Sequence, residues 1–153
     1  MKNFRNAPHR LESVATIRGI EFVNDSKATN VDAVRYALES FNQQLVWIAG
    51  GVDKGNDYSE IEPQVKRNVR ALICLGVDNN KLKTAFEGTI AIIRETQSVR
   101  ELVRTALQVA QEGDVVLLSP ACASFDLFRN YEDRGDQFRK EVLELKRELE
   151  GAG

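Results

Sequence analysis

Short apolar runs rich in β-forming residues alternate with amphipathic helical patterns along the whole of this 153-residue sequence. Such alternation is typical of α/β domains, in which helices cover a largely parallel sheet. The run at residues 45–49 (LVWIA) is apolar at every position, as expected of a central strand covered on both faces. We therefore predict a single α/β domain over residues 1–153, with a Rossmann-like mixed sheet of about six strands and helices on both faces.

One strand of this sheet is expected to run antiparallel to the rest. The runs at residues 11–17 and 20–23 are separated only by Arg18 and Gly19, a spacing that predicts a tight hairpin. The other strands, expected to be mostly parallel, fall at residues 45–49, 71–75, 89–93 and 115–118. Helices are expected around residues 34–41, from Asp57 or Ser59 to about Asn68, over 79–87, from a capping box at Ser98 to a C-cap at Gly113, and from about Asp133, with a frayed tail at 150–153.

Charge and composition exclude several classes of protein. Twenty-one basic and 23 acidic residues give a net charge of −2, and no basic cluster is interleaved with aromatic residues, so nucleic acid is not an expected partner. No apolar run approaches the ~20 residues that span a bilayer, and the N-terminus lacks a signal-peptide core. Cys74 and Cys122 form neither a metal-ligand pattern nor a disulfide framework. We expect a monomeric protein of a reducing, cytoplasmic compartment with no membrane partner.

Three loops carry the residues that could bind a ligand. The first loop, residues 24–30 (NDSKATN), and the third loop, residues 119–126 (SPACASFD), each follow an apolar strand and mix hydroxyl, amide and carboxylate side chains. The second loop, residues 50–55 (GGVDKG), leaves the central strand with two glycines. Because the carboxyl ends of parallel strands form the binding crevice of α/β proteins, we expect these loops to line one site.

Lysines in the first two loops are candidates for anion binding. Lys27, flanked by hydroxyl groups just before a helix N-terminus, suits a carboxylate or phosphate, whereas simple capping by Thr29 or Asn30 would leave Lys27 unexplained. Lys54 of the second loop is also compatible with an ordinary solvated turn lysine. The pattern G-x-x-x-x-G-K-[ST] does not occur, so no P-loop is expected in this chain.

A nucleophile in the third loop is the less favoured interpretation. Ser119, Ser124 or Cys122 would need a base, and the single histidine, His9, precedes the first strand. We therefore expect the hydroxyls to bind ligand and Cys122 to pack in the interior. Arg134 is expected to brace the third loop.

Taken together, these motifs resemble one family along nearly the whole chain. His9-Arg10-x-Glu12, the first loop, Gly50-Gly51 with Lys54, and the third loop followed by Asn130-Tyr131-Glu132-x-Arg134-Gly135-x-x-Phe138 are similar, in order and spacing, to the C-terminal domain of the Mur ligases. The third loop most resembles the branch that adds D-glutamate. The resemblance implies a three-domain ATP- and Mg²⁺-dependent ligase of peptidoglycan synthesis, whose UDP-binding and ATPase domains precede this one.

The resemblance also implies roles for individual residues. The substrates would be D-glutamate, UDP-N-acetylmuramoyl-L-alanine and ATP, with the nucleotide and Mg²⁺ held mainly by the upstream domains and no metal site on this chain. Phe125 and Tyr131 depart from the Leu and Phe of that branch. The implied roles are catalysis near the reacting centre for Lys27, D-glutamate binding for Thr29, Lys54, Ser124, Phe125 and Tyr131, and nucleotide contact on domain closure for His9, Arg10 and Asp25.

Two other interpretations remain open at the level of sequence. One is a related Mur ligase or a folylpolyglutamate-type ligase domain, which the third loop disfavours. The other is a free-standing module that binds small anions without catalysis. If the chain is a ligase domain, we expect it to be inactive alone, because the ATP-binding half of the site is missing.

Overall fold

The computed structural model describes residues 7–151 and confirms the predicted α/β fold. A six-stranded sheet has the strand order β1-β2-β6-β3-β4-β5, in which only β1 is antiparallel to its neighbour. The strands are β1 (Glu12–Ile17), β2 (Ile20–Asn24), β3 (Leu45–Ala49), β4 (Val69–Leu75), β5 (Ile92–Thr96) and β6 (Val115–Leu118). The helices are α1 (Val31–Glu39), α2 (Glu62–Asn68), α3 (Asn80–Phe86), α4 (Val99–Val109) and α5 (Tyr131–Gly151), with a 3₁₀ turn at Tyr58–Ile61 before α2.

Helices cover both faces of the sheet, as predicted. Trp47 and Leu72 face the core beneath α1, α2 and α3, whereas Ile48 and Ile73 face the core beneath α4 and α5. Every residue of β3 is buried, because this strand lies between β6 and β4 and is covered from both sides. The uninterrupted apolar run at residues 45–49 is therefore a requirement of its central position.

The β1–β2 hairpin is confirmed with the two-residue turn that the sequence predicted. Arg18 and Gly19 both have positive φ, 54° and 80°, as the central residues of a type I′ turn require. This turn follows the right-handed twist of the strands and places β1 at the edge of the sheet.

Three predicted boundaries are wrong. β5 begins at Ile92 rather than at Thr89, because the N–H groups of Thr89 and Ile90 donate to Phe86 O and close the end of α3. Gly113 does not cap α4, which ends at Val109; its N–H donates instead to Gly19 O.

The third difference concerns the last helix, which begins at Tyr131 rather than at about Asp133 and continues through Gly151. Residues 150 and 151, expected to be frayed, are thus helical, while residues 152 and 153 and the N-terminal residues 1–6 lie outside the described residues. Within the described range, no helix combines the length and the apolar character needed to cross a membrane.

Candidate ligand-binding site at the carboxyl edge

The strand order brings the three predicted loops side by side. β2, β6 and β3 are parallel neighbours, so the first, third and second loops emerge from adjacent strand ends at one edge of the sheet. This edge, where the chain connections diverge, is where α/β domains bind their ligands.

The first and third loops are joined by buried hydrogen bonds. Asp25 N–H donates to Leu118 O (2.8 Å), and Ala121 N–H donates to Ala28 O (2.8 Å). The Ser119 hydroxyl donates to Asp25 Oδ2 (2.9 Å). Ala121 has a φ of 67°, a strained conformation for a non-glycine residue that the surrounding contacts maintain.

Arg134 of α5 braces both loops, as predicted for the third loop. Its side chain is buried, with 1% exposure. Its guanidinium donates to Ser26 Oγ (2.9 Å), Ser26 O (2.9 Å) and Cys122 O (3.1 Å). Burial lowers the pKa of Arg134 to about 10, which leaves it charged at neutral pH. The two loops are therefore fixed to each other and to the last helix.

The second loop is attached to the third loop at its root. Gly50 N–H donates to Pro120 O, and Val52 and Ala123 exchange two backbone hydrogen bonds. Gly51 has a φ of 135°, and a Cβ at this position would lie 2.1 Å from Ala123 O. The sequence attributed the glycine pair to approach of a ligand, but at Gly51 the backbone that approaches is the third loop.

A polar cluster that the sequence did not indicate supports the second loop from below. The Tyr58 hydroxyl donates to Asp53 Oδ2 (2.7 Å) and contacts Cys122 Sγ (3.4 Å), while Lys81 pairs with Asp53 Oδ1 (3.2 Å). Partial burial alone would raise the pKa of Asp53. Its hydrogen bonds, including those from Asn56 and Tyr58, outweigh burial and hold the pKa below its ordinary value.

Cys122 fills the interior beneath this cluster, as predicted. Burial raises the pKa of its thiol, which disfavours the thiolate that a nucleophile requires. For the contact between Asp53 and Tyr58, the only signal in the sequence is their separation of five residues around a turn.

Lys27 and Tyr131 are brought into direct contact. Lys27 Nζ donates to the Tyr131 hydroxyl (3.2 Å) and lies 4.6 Å from the centre of the Tyr131 ring. The Ser26 hydroxyl donates to Tyr131 O (2.7 Å), so the first loop holds Tyr131 by its backbone as well. Within residues 7–151, Lys27 has no carboxylate within ion-pair distance.

His9 and Asp25 are buried in the protein rather than displayed at the edge. His9 Nδ1 lies 3.0 Å from Asn24 Nδ2. A Cβ at Gly135 would lie only 2.1 Å from His9 Nδ1. Asp25 Oδ1 accepts from Leu11 N–H (3.0 Å), and burial raises the pKa of Asp25 to about 6 against the opposing effect of its hydrogen bond from Ser119. Arg10, in contrast, is exposed.

The remaining predicted residues lie on the three loops at this edge and differ in their exposure. Thr29 and Lys54 are exposed, Phe125 is 65% exposed, and Ser124 is buried, with its carbonyl accepting from the N–H of Leu127 and Phe128. A cavity of about 530 Å³ beside the second and third loops is lined by Gly51, Asp53, Lys81 and Asp126 among others. No predicted site residue lines this cavity.

A metal or nucleotide-triphosphate site would require a cluster of ligands or a phosphate-binding loop. Residues 7–151 contain no group of three or more His, Cys, Asp or Glu side chains that could hold a metal ion. The sequence contains no P-loop either. Residues 7–151 do not by themselves offer a Mg²⁺-binding cluster or a P-loop.

The described residues form an α/β domain whose carboxyl edge is polar and carries the side chains of Lys27 and Lys54. Residues 9–122 match the family model described as "Mur ligase, glutamate ligase domain", and the chain belongs to this family. Two curated relatives, both named UDP-N-acetylmuramoylalanine–D-glutamate ligase, are 59% (Cytophaga hutchinsonii) and 57% (Porphyromonas gingivalis) identical over 145 residues. These alignments cover 95% of this chain and 32% of each relative, so the chain spans about a third of their length.

Solved structures share the fold at much lower sequence identity. The crystal structure of MurF ligase from Thermotoga maritima in complex with ADP is 14% identical and superimposes with a TM-score of 0.59. The match covers 98% of this chain and 33% of that one. It supports the architecture derived above.

Proposed function

We propose that this chain is the C-terminal, amino-acid-binding domain of an ATP-dependent ligase that adds D-glutamate to UDP-N-acetylmuramoyl-L-alanine in cytoplasmic peptidoglycan precursor synthesis. One observation of the structure carries the proposal: Lys27 and Lys54 lie on the two loops that flank the third loop at the carboxyl edge, and neither pairs with a carboxylate within residues 7–151. Unneutralised cations at one edge favour an anionic ligand. The names of the relatives at 57–59% identity support D-glutamate as this ligand.

A dicarboxylate needs donors at two ends. In this proposal, Thr29 and Lys54 bind one carboxylate of D-glutamate. Ser124, Phe125 and the backbone near Tyr131 bind the other. A lysine and a hydroxyl supply charge-assisted hydrogen bonds at the first end, and the backbone of the third loop supplies neutral donors at the second. The bracing by Arg134 holds the third loop in position for this contact.

The contribution of the domain to catalysis would be positioning. Holding the amine of D-glutamate against an acyl phosphate formed on a neighbouring domain converts a bimolecular attack into an intramolecular one. Lys27 would lie near the reacting centre. Of the three residues expected to reach the nucleotide on domain closure, Arg10 is exposed, whereas His9 and Asp25 are buried. We therefore assign the nucleotide contact to Arg10, and to His9 and Asp25 the support of the segment that carries Arg10.

ATP and Mg²⁺ enter this proposal as ligands of upstream domains. Residues 7–151 hold no cluster of metal ligands, and the one contact assigned to this chain is that of Arg10 with the nucleotide on closure. The upstream coding sequence provides an inexpensive test: a G-x-x-x-x-G-K-[ST] motif in the same reading frame supports the ligase, and a stop codon shortly before Met1 supports a free-standing anion-binding module.

The decisive experiment is an amide-resolved NMR titration of this chain with D-glutamate, with L-glutamate and D-alanine as controls. We expect saturable shifts around Thr29, Lys54, Ser124 and Tyr131, larger for the D-isomer. Equal shifts with all three amino acids would contradict the assignment. The Lys66→Ala variant, on α2 near the start of β4, should bind like the wild type.

A further inference from the structure

The ammonium of Lys27 is held by neutral groups. Its contacts are the phenolic oxygen of Tyr131 at 3.2 Å and the Tyr131 ring at 4.6 Å. A carboxylate at this distance would neutralise the lysine, whereas a phenol and an aromatic face stabilise the cation and leave its full charge available. The arrangement suits a lysine that is to meet an anion from outside the domain.

Tyr131 is itself fixed from two sides. Its carbonyl accepts from the Ser26 hydroxyl at 2.7 Å, and its ring packs edge-on against His9, with the ring centres 5.8 Å apart. His9 is buried, and its carbonyl accepts from Lys27 N–H at 3.0 Å. The Tyr131 ring and the Lys27 backbone therefore both contact His9, which fixes their relative position.

We propose that Tyr131 is a positioning residue that fixes the ammonium of Lys27 for an anionic group delivered to the carboxyl edge. The geometry stands on this chain alone, while the identity of that group, a carboxylate becoming an acyl phosphate, rests on the proposed function. Because Tyr131 begins α5 and Lys27 lies in the first loop, just before α1, the pair also links the start of α5 to the first loop. The hydroxyl and the ring contribute separately, so they can be removed one at a time.

The first test uses this chain and does not depend on any activity. The ring should shift the NMR signals of the Lys27 ε-protons upfield of the position of a free lysine, and by more than those of Lys81, whose Nζ lies 5.8 Å from the centre of the Tyr58 ring. Tyr131→Phe should retain much of this shift, and Tyr131→Leu should abolish it, while Tyr36→Phe, at a tyrosine that is 69% exposed, should change nothing. A Lys27 signal at the position of a free lysine in the wild type would overturn the proposal.

The second test uses the intact ligase. We expect Tyr131→Phe to lower kcat about threefold and Tyr131→Leu about tenfold, with the KM for D-glutamate unchanged, since only a cation contact is lost. In a Lys27→Met background both substitutions should have almost no further effect. Additive losses would show that Tyr131 acts independently of Lys27, and a change confined to KM would overturn the proposal as well.

The outcomes separate this proposal from the function on which it partly rests. If the intact protein does not join D-glutamate to its acceptor, the proposed function fails, and the Lys27 signals of the chain still decide whether Tyr131 holds the lysine. If ligation is observed but the double-variant effects are additive, the function stands and the positioning role fails. Unchanged backbone amide shifts away from α5 in Tyr131→Leu will show that the variant is folded.

Discussion

The first and third loops are fixed to each other by buried contacts, whereas the second loop is attached at its root and through Asp53 but leaves Lys54 exposed. Asp25, Ser26 and Ser119 are fully or almost fully buried and hydrogen-bonded across the two loops, with Arg134 joined to both. In the second loop, Gly50 and Val52 bond to the third loop, but Lys54 is exposed and has no partner within residues 7–151. One edge of the sheet therefore combines a fixed floor, formed by the first and third loops, with the solvated ammonium of Lys54.

The difference follows from the cost of burying polar groups. A buried polar group is tolerated only when it is paired, so the network around Asp25 and Arg134 is stable only as a whole. Lys54 loses no hydration on folding and can be desolvated when a ligand arrives. We infer that the floor sets the geometry of the site and that the second loop adapts to the ligand.

Removal of the Arg134 brace should have the largest effect on stability. Arg134→Met leaves three buried acceptors, Ser26 Oγ, Ser26 O and Cys122 O, without their donor. Because an unsatisfied buried acceptor costs roughly 1–3 kcal/mol, we expect the free energy of unfolding to fall by about 4 kcal/mol. Urea denaturation measures this change.

Arg129→Ala is the matched control for the Arg134 variant. Arg129 lies just before α5, is largely exposed, and reaches Asp133 only at 3.9 Å, so its loss should cost less than about 0.5 kcal/mol. An equal effect of the two substitutions would mean that the first and third loops are not held by Arg134.

The second largest effect is a pH dependence that originates in the floor. Burial raises the pKa of Asp25 from 3.8 to about 6, so the folded state holds this proton more tightly than the unfolded state. The stability contributed by protonated Asp25 is complete below pH 3.8 and is lost as the pH rises through about 6. The shift corresponds to about 3 kcal/mol.

Other carboxylates titrate with the opposite sign, so the effect is measured against Asp25→Asn. Asp53 and Asp133 have lowered pKa values, so the stability that these carboxylates contribute to the fold decreases as the pH falls. The difference in unfolding free energy between wild type and variant, followed from pH 4 to pH 7, isolates Asp25. A difference that does not change across this range would show that Asp25 is not buried in the native protein.

The root of the second loop can be compared with its tip by two glycine substitutions. Gly51→Ala places a Cβ 2.1 Å from Ala123 O, whereas Gly55→Ala meets nothing within 4 Å. Both residues have positive φ, so each variant carries backbone strain of about 1–3 kcal/mol, and only Gly51→Ala adds a steric clash. We expect Gly51→Ala to be less stable than Gly55→Ala by about 2 kcal/mol in thermal or urea denaturation. Equal losses would place the attachment of the loop elsewhere.

The fold was predictable because its strongest signals are local. The period-2 and unbroken apolar runs, the Arg18-Gly19 turn and the Ser98 N-cap each depend on a few neighbouring residues. The error at Thr89 arose where the closing turn of α3 decided the boundary, and the error at Gly113 arose where a tertiary contact did. Residues that look like a strand close α3 in one case, and an apparent helix cap bonds to the β1–β2 turn in the other.

The site was predictable only in part, since its contacts join distant segments. The sequence identified the three loops and the role of Arg134. It could not show that His9 lies against Gly135 or that Tyr58 supports Asp53 from outside the second loop. Pairings across more than 100 residues, such as Lys27 with Tyr131, depend on the strand order, which no local pattern encodes.

The smallest expected change in stability, at Lys54, gives the sharpest test of the comparison. Lys54→Ala removes an exposed side chain without a described partner, so the free energy of unfolding should stay within about 0.5 kcal/mol of the wild type. The affinity for D-glutamate should nevertheless fall at least about tenfold, since a charge-assisted contact is lost. Urea denaturation and the NMR titration measure the two quantities on the same sample, with Lys66→Ala as the control. A marked loss of stability would show that the tip of the second loop is held as firmly as the first and third loops. An unchanged affinity would remove Lys54 from the site, because an exposed lysine that does not stabilise the fold belongs to this proposal only if it binds the ligand.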